Sequence, residues 1–205
     1  MEEIKKKNTD YLTSINIDVP EHLPVIESLD EVRPRSAIDV ASRLSAIAYV
    51  VGLAFDAPGA SLAPYLEKYG LMPFVSDYEK SLLEQKTIEE QDKVNMSFLP
   101  ECAQALAWCL GIVELNHFRH CDDDLAKKIP FKEDPSNFIS SALLRPLNEI
   151  QEQADLLYRM HWYAKNCSLT GNESKLSQSI VSERRKAIDW VYGVEENWDE
   201  VPMDT

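Results

Sequence analysis

The chain has 205 residues, with 21 Lys and Arg against 35 Asp and Glu, for a net charge of −14. Such a charge repels a phosphate backbone and argues against nucleic acid as a partner, while a hydrophobic fraction of 44% is too high for a disordered acidic chain. Only 6 glycines occur, against a turn-rich β fold, and no GxGxxG or Walker-type run is present.

The first ten residues are charged and resemble no secretion leader, and no apolar run approaches the ~20 residues of a membrane span. The expected setting is the cytoplasm, with no membrane association and no cofactor. Cys102 and Cys109 are placed on one helix, ~10 Å apart along its axis, too far to bridge, so reduced core cysteines are expected.

Taken in chain order, residues 1–34 read as an extended segment, with Ile15, Ile17 and Val19 at period two and Pro20, Pro24 and Pro34 following. One short strand or hairpin is possible by that pattern. Ser36 and Asp39 then open a helix whose stripe is Val40, Leu44, Ile47, Ala48 and Val51, with Asp39 and Arg43 as a surface pair. A short helix over 61–69 stops at Gly70, Ser76 to Glu79 forms a second capping box, and Thr87 to Glu90 a third. Residues 98–115 are apolar nearly all round, which predicts a central helix. An irregular stretch covers 116–145, and two long helices follow, over 148–166 and 174–192. Trp198 and Val201 anchor an acidic tail folded back on the body. The predicted fold is all-α: an extended segment, 1–34, and one helical domain, 35–205.

On the wheel of the 148–166 helix, Ile150, Ala154, Leu157, His161 and Ala164 form one stripe, with Asp155, Arg159 and Trp162 beside it. Arg184 falls in the middle of the apolar face of the last helix. A buried guanidinium keeps its proton and demands a carboxylate; Asp155, Glu149 and Glu101 are the candidates, with Asp155 or Glu149 expected across the last two helices. Two readings follow. Either these residues form an interhelical ion-pair network, or Arg159, Arg184, Trp162 and Glu149 line an anion-binding pocket in which Glu101, Asp155 or His161 transfers a proton. His117, His120 and Cys121 have a metal-ligand flavour, but their spacing completes no tetrahedral set and no metal is expected. No GxSxG elbow and no Cys beside an obvious base is present.

The C-terminal octet, from Trp198 through Asp199, Val201 and Asp204 to Thr205, resembles the WDxVxxDT ending of the bacterial domain-of-unknown-function 4272 family. Glu183-Arg184 with Ala187 and Trp190 is similar to its ERxxALxW segment, from which Arg185, Ile188 and Asp189 depart. Glu149-Ile150, Asp155, Tyr158-Arg159 and His161-Trp162 resemble its EIxxxxDxxYRxHW run. Glu101 with Leu106-Ala107-Trp108 and Leu110-Gly111 resembles its ExLxxLxWALG helix, with Phe98 where Trp is usual. Arg35-Ser36 and Arg43 resemble its RSxxEVxxR start, with Asp39-Val40 for Glu-Val. The resemblance spans about 33–205 and implies a mostly helical, cytoplasmic, bacterial domain without an established activity.

Three functions are therefore carried forward: a non-enzymatic interaction or accessory protein with a basic protein partner, an enzyme or anion-binding protein using the Glu/Asp/Arg/His set, and, ranked last, a metal-binding protein through His117, His120 and Cys121. The charge favours the first. It lies mainly at the ends, since residues 1–34 hold 8 acids and 4 bases and residues 195–205 hold 5 acids and no base.

Overall fold

The N-terminal segment is helical before it is extended: α1 covers Glu2–Ser14, and only residues 15–36 cross the surface as an irregular strap. The computed structural model describes residues 1–204, so Thr205 of the C-terminal octet lies outside it. The sequence misses α1 because the helix buries only Asn8 and Leu12, too few for a periodic stripe. Docking on a neighbour holds it instead, through Asn8 Nδ2 to Glu152 O at 2.9 Å and Lys7 Nζ to Glu152 at 2.6 Å. The period-two residues form no strand; Ile17 is buried while Ile15 and Val19 pack on the core, and no strand occurs among the described residues.

α2 (Ala37–Val50) starts as expected, with Ser36 and Asp39 capping each other reciprocally. With the 3-10 turn Val51–Phe55 it is, at 19 residues, long and apolar enough to cross a membrane, which departs from the sequence expectation. Its apolarity serves the core, where Val40, Leu44, Ile47 and Val50 are at most 1% exposed. Arg43 is no surface residue either, being 2% exposed and turned away from Asp39.

α3 (Gly59–Lys68) and α4 (Asp77–Leu83) follow, the latter with the Ser76/Glu79 capping box in place. α5 (Glu90–Ser97) begins at Glu89 with no side-chain cap, so Thr87 forms no box. α6 (Leu99–Cys109) is shorter than the predicted 98–115, because the chain turns at Gly111 with φ +69°. α7 (Ser136–Ser140) and a 3-10 turn at Leu125–Lys128 lie within the otherwise irregular 116–145. α8 (Leu147–Thr170) ends on Gly171, and α9 (Gln178–Tyr192) starts at the Ser177 cap and ends on Gly193.

α6 packs between α2 and α9, and α8 reaches this core mainly through α9, with α1 on its outer side. Trp198 and Val201 are each 6% exposed, so the acidic tail folds back on α9, its Trp198 ring edge-on to Trp190 at 5.4 Å. All four cysteines are free thiols.

Candidate functional site

The inward-facing charges divide into pairs, each on its own part of the fold. Arg184 is 1% exposed and does meet a carboxylate, but on α6 rather than α8: Glu101 Oε2 accepts from its Nε at 3.0 Å and its Nη2 at 2.7 Å. Its remaining donors reach Asn116 O and Arg119 O, and Glu101 Oε1 accepts from Cys121 N at 3.0 Å. The pair thus pins the loop after α6 to α9.

Asp155 and Arg159 pair within α8, at 2.6 Å and 2.9 Å, both at most 1% exposed. Asp155 Oδ2 also accepts from Asn8 Nδ2, and Arg159 Nη2 reaches Pro24 O, so this pair ties α1 and the strap to α8. The expected Arg184 contacts to Asp155 or Glu149 are not made, because the helical rotation that places Asp155 inward aims it at α1. Glu149 is on the surface beside Arg145, 3.7 Å away, and half-buried Trp162 lines none of the cavities described below.

Arg43, which periodicity alone does not single out, grips Glu79 in a two-point contact at 2.7 Å and also donates to Phe74 O at 2.8 Å. The Trp198 ring covers it, 4.1 Å from the guanidinium carbon. Glu79 is the acid of the second capping box, so one carboxylate closes a helix start and neutralises a core arginine.

The residues with metal-ligand character do not converge. His117 is buried against Gln153, its Nε2 2.8 Å from the amide, and desolvation with Arg184 nearby pushes its pKa down to about 3. His120 is 80% exposed, with Nδ1 3.3 Å from Glu101. Cys121 is half-buried, and burial beside Glu101 pushes its thiol up. No group of three or more His, Cys, Asp or Glu is placed to hold a metal among the described residues.

Among the cavities of ligand-site size, which include one of about 420 Å³ beside Tyr49 and Tyr65, two take in residues of the loop after α6 or of α9. One, of about 390 Å³, lies between α2 and the 121–131 loop and is walled by apolar side chains such as Ile47, Val51 and Leu125. The other, of about 460 Å³, is polar and is closed by strap residues 24–27, by Tyr158 of α8, by Arg185, Asp189 and Tyr192 of α9, and by Pro202 and Asp204 of the tail. Helix geometry places Arg185 and Asp189 together at i,i+4, with Nε to Oδ2 at 3.1 Å. Arg185 Nη1 lies 2.8 Å from His161 Nδ1. A guanidinium only donates, so Nδ1 is the bare nitrogen and His161 is the neutral Nε2–H tautomer; burial and Arg185 push its pKa down to about 4. Asp189 is pushed up to about 7 by burial, against the pull of Arg185. None of the proposed proton-transfer residues faces this cavity; the residues that do, Arg185 and Asp189, are those in which the last helix departs from the resembled motif.

No curated protein and no solved structure matches the chain. Among known families, the one described as "Domain of unknown function (DUF4272)" matches residues 4–201, starting in α1, well before the segment that carries the sequence motifs. The chain belongs to this family.

Proposed function

We propose that the protein is a non-enzymatic interaction protein that binds a basic partner protein on the face where its two acidic ends meet. The observation that carries this is their convergence. Tyr192 donates to Glu27 O at 2.6 Å, Arg35 N to Val191 O at 2.9 Å, and Arg185 Nη1 to Asp204 O at 3.1 Å. Strap and tail are thereby fastened along the C-terminal half of α9. The strap, residues 15–36, holds 5 acids and 2 bases, and residues 195–205 hold 5 acids and no base, so more than half of the −14 belongs to these two segments. Convergent like charge raises the local potential and steers an oppositely charged partner. The enzymatic reading has less support, since Glu101 and Asp155 are each paired with a buried arginine and neither is among the residues lining the cavities described above.

The test is binding of a decalysine peptide at low salt by three proteins. The wild type is expected to bind, with affinity falling as salt rises. A variant with Glu21→Gln, Glu196→Gln, Glu200→Gln and Asp204→Asn is expected to lose most of it. A control with Glu67→Gln, Glu84→Gln, Glu133→Gln and Glu173→Gln, equal in charge removed, is expected to keep it. No binding by the wild type, or equal loss in both variants, overturns the proposal.

A further inference from the structure

We propose that the cavity between strap and tail is a binding site for an alkylammonium group, received against Asp189; this rests on the reading of the surrounding face as the basic-partner surface. The cavity has acceptors in surplus. Asp189 is 6% exposed and lines it, yet only Oδ2 has a donor, the Arg185 Nε; Oδ1 meets none among the described residues. A carboxylate oxygen that is nearly buried, open to a cavity and without a donor has room for a further hydrogen-bond donor, and a cationic one gains most from it.

Arg185 does not turn the site toward anions. Its Nε is committed to Asp189, its Nη1 to His161 and Asp204 O, and its Nη2 points at Pro202 O at 3.5 Å. Against this one committed cation stand Asp189 and two further carboxylates of the lining, Glu27 and Asp204, neither of which has a salt-bridge partner among the described residues. The Tyr158 ring is taken by the Arg185 guanidinium, 5.1 Å from its centroid, and the apolar part of the lining, Val25, Ile26 and Val194, is what a methylene chain would pack against. A lysine side chain has this composition, an apolar stem with a compact triple donor at its end, and so does a free alkylamine.

The protonation of Asp189 supplies a second handle. Burial holds its pKa near 7, with Arg185 lowering it and Glu27 raising it; the other charged or titratable neighbours are His161, Tyr158, Tyr192 and Asp204. Because only the ionised carboxylate attracts an ammonium, binding strengthens as pH rises from about 6 to about 8.

The experiment is titration of decalysine, and separately of n-butylammonium, into wild type, Asp189→Asn and Ile26→Trp, the last filling the cavity from the strap with every residue of α9 unchanged. Thermal melts verify that each variant folds, and Ile26→Trp carries the test if Asp189→Asn does not. Affinity is expected to fall about fivefold or more in either variant, with the pH dependence lost in Asp189→Asn. Binding of n-butylammonium alone identifies a free amine as sufficient occupant, and binding of decalysine only assigns the site to a side chain of a partner protein; both uphold the ammonium site. Decalysine binding equally to wild type and both variants, at a pH-independent affinity, overturns this inference and leaves the acidic face intact. No decalysine binding to wild type overturns the reading of the face itself.

Discussion

A guanidinium cannot shed its proton, so the arginines that α2, α8 and α9 turn inward each hold a carboxylate, and removing one partner leaves an uncompensated charge in the core. Glu101→Gln is therefore expected to destabilise the fold by about 3–5 kcal/mol, read from urea denaturation, because Arg184 is 1% exposed. Replacing both, Glu101→Leu with Arg184→Met, is expected to recover a large part of that loss. A change below about 1 kcal/mol in Glu101→Gln would show that water reaches the pair and that the loop after α6 is not fastened by it. At this scale the sequence is legible in kind but not in pairing. That Arg184 is buried and ion-paired follows from its place on an apolar face; that its partner is Glu101, 83 positions away, depends on how α6 and α9 face each other. Arg43 is the clearest case. Its position beside Asp39 at i,i+4 suggests a surface pair, yet α4 and the tail cover that side of α2 and supply Glu79 and Trp198.

Among the elements, the junction of α9 with the strap is the most exacting. Gly193 ends α9 at φ +91°, and a Cβ there would lie 2.1 Å from Arg33 O. Both the left-handed backbone and the close approach exclude any other residue. Gly193→Ala is expected to cost more than about 2 kcal/mol and to loosen strap and tail together, read as a lowered melting temperature and faster amide exchange in residues 24–35. Unchanged exchange there would dissociate the strap from α9. Helix starts were readable where a side chain itself forms the cap, as at Ser36 and Ser76. The same pattern opens no helix where packing is missing behind it. Thr87 has the spacing of a capping box, but α5 begins at Glu89 and its only buried residue is Met96. α1 is the converse, a helix with almost no apolar stripe that exists because α8 offers it hydrogen bonds.

Over the whole molecule, three buried titratable groups set the acid side of stability. His117 and His161 titrate at about 3 and about 4 in the fold against 6.5 when free, so the unfolded chain takes up protons first and stability is lost as pH falls from 6.5 toward 4. Asp189 acts oppositely. Raised to about 7 from 3.8, it holds a proton that the unfolded chain releases, so its contribution declines as pH rises across that window. Two protons against one leave a net fall in melting temperature below about pH 6.5, which His161→Gln is expected to shallow. A melting temperature constant from about pH 7 to about pH 4.5 would contradict the buried, neutral histidines.

Composition and periodicity by themselves determined that this is an all-helical chain, that the segment of α6 lies at its centre, and that Trp198 and Val201 draw the tail back, because those outcomes depend only on burying apolar surface at helical spacing. The helical wheel alone places Arg184 on a buried face, and of the polar residues in the family motifs Glu101, Asp155, Arg159 and Arg184 are buried while Glu149 and Trp162 are only half-buried. Only the tertiary structure decided which carboxylate meets which arginine, and that Glu27, Asp189 and Asp204 share one cavity. Electrostatic pairing acts over a few ångströms, and distances that short between residues so far apart in the chain are set by how the helices pack.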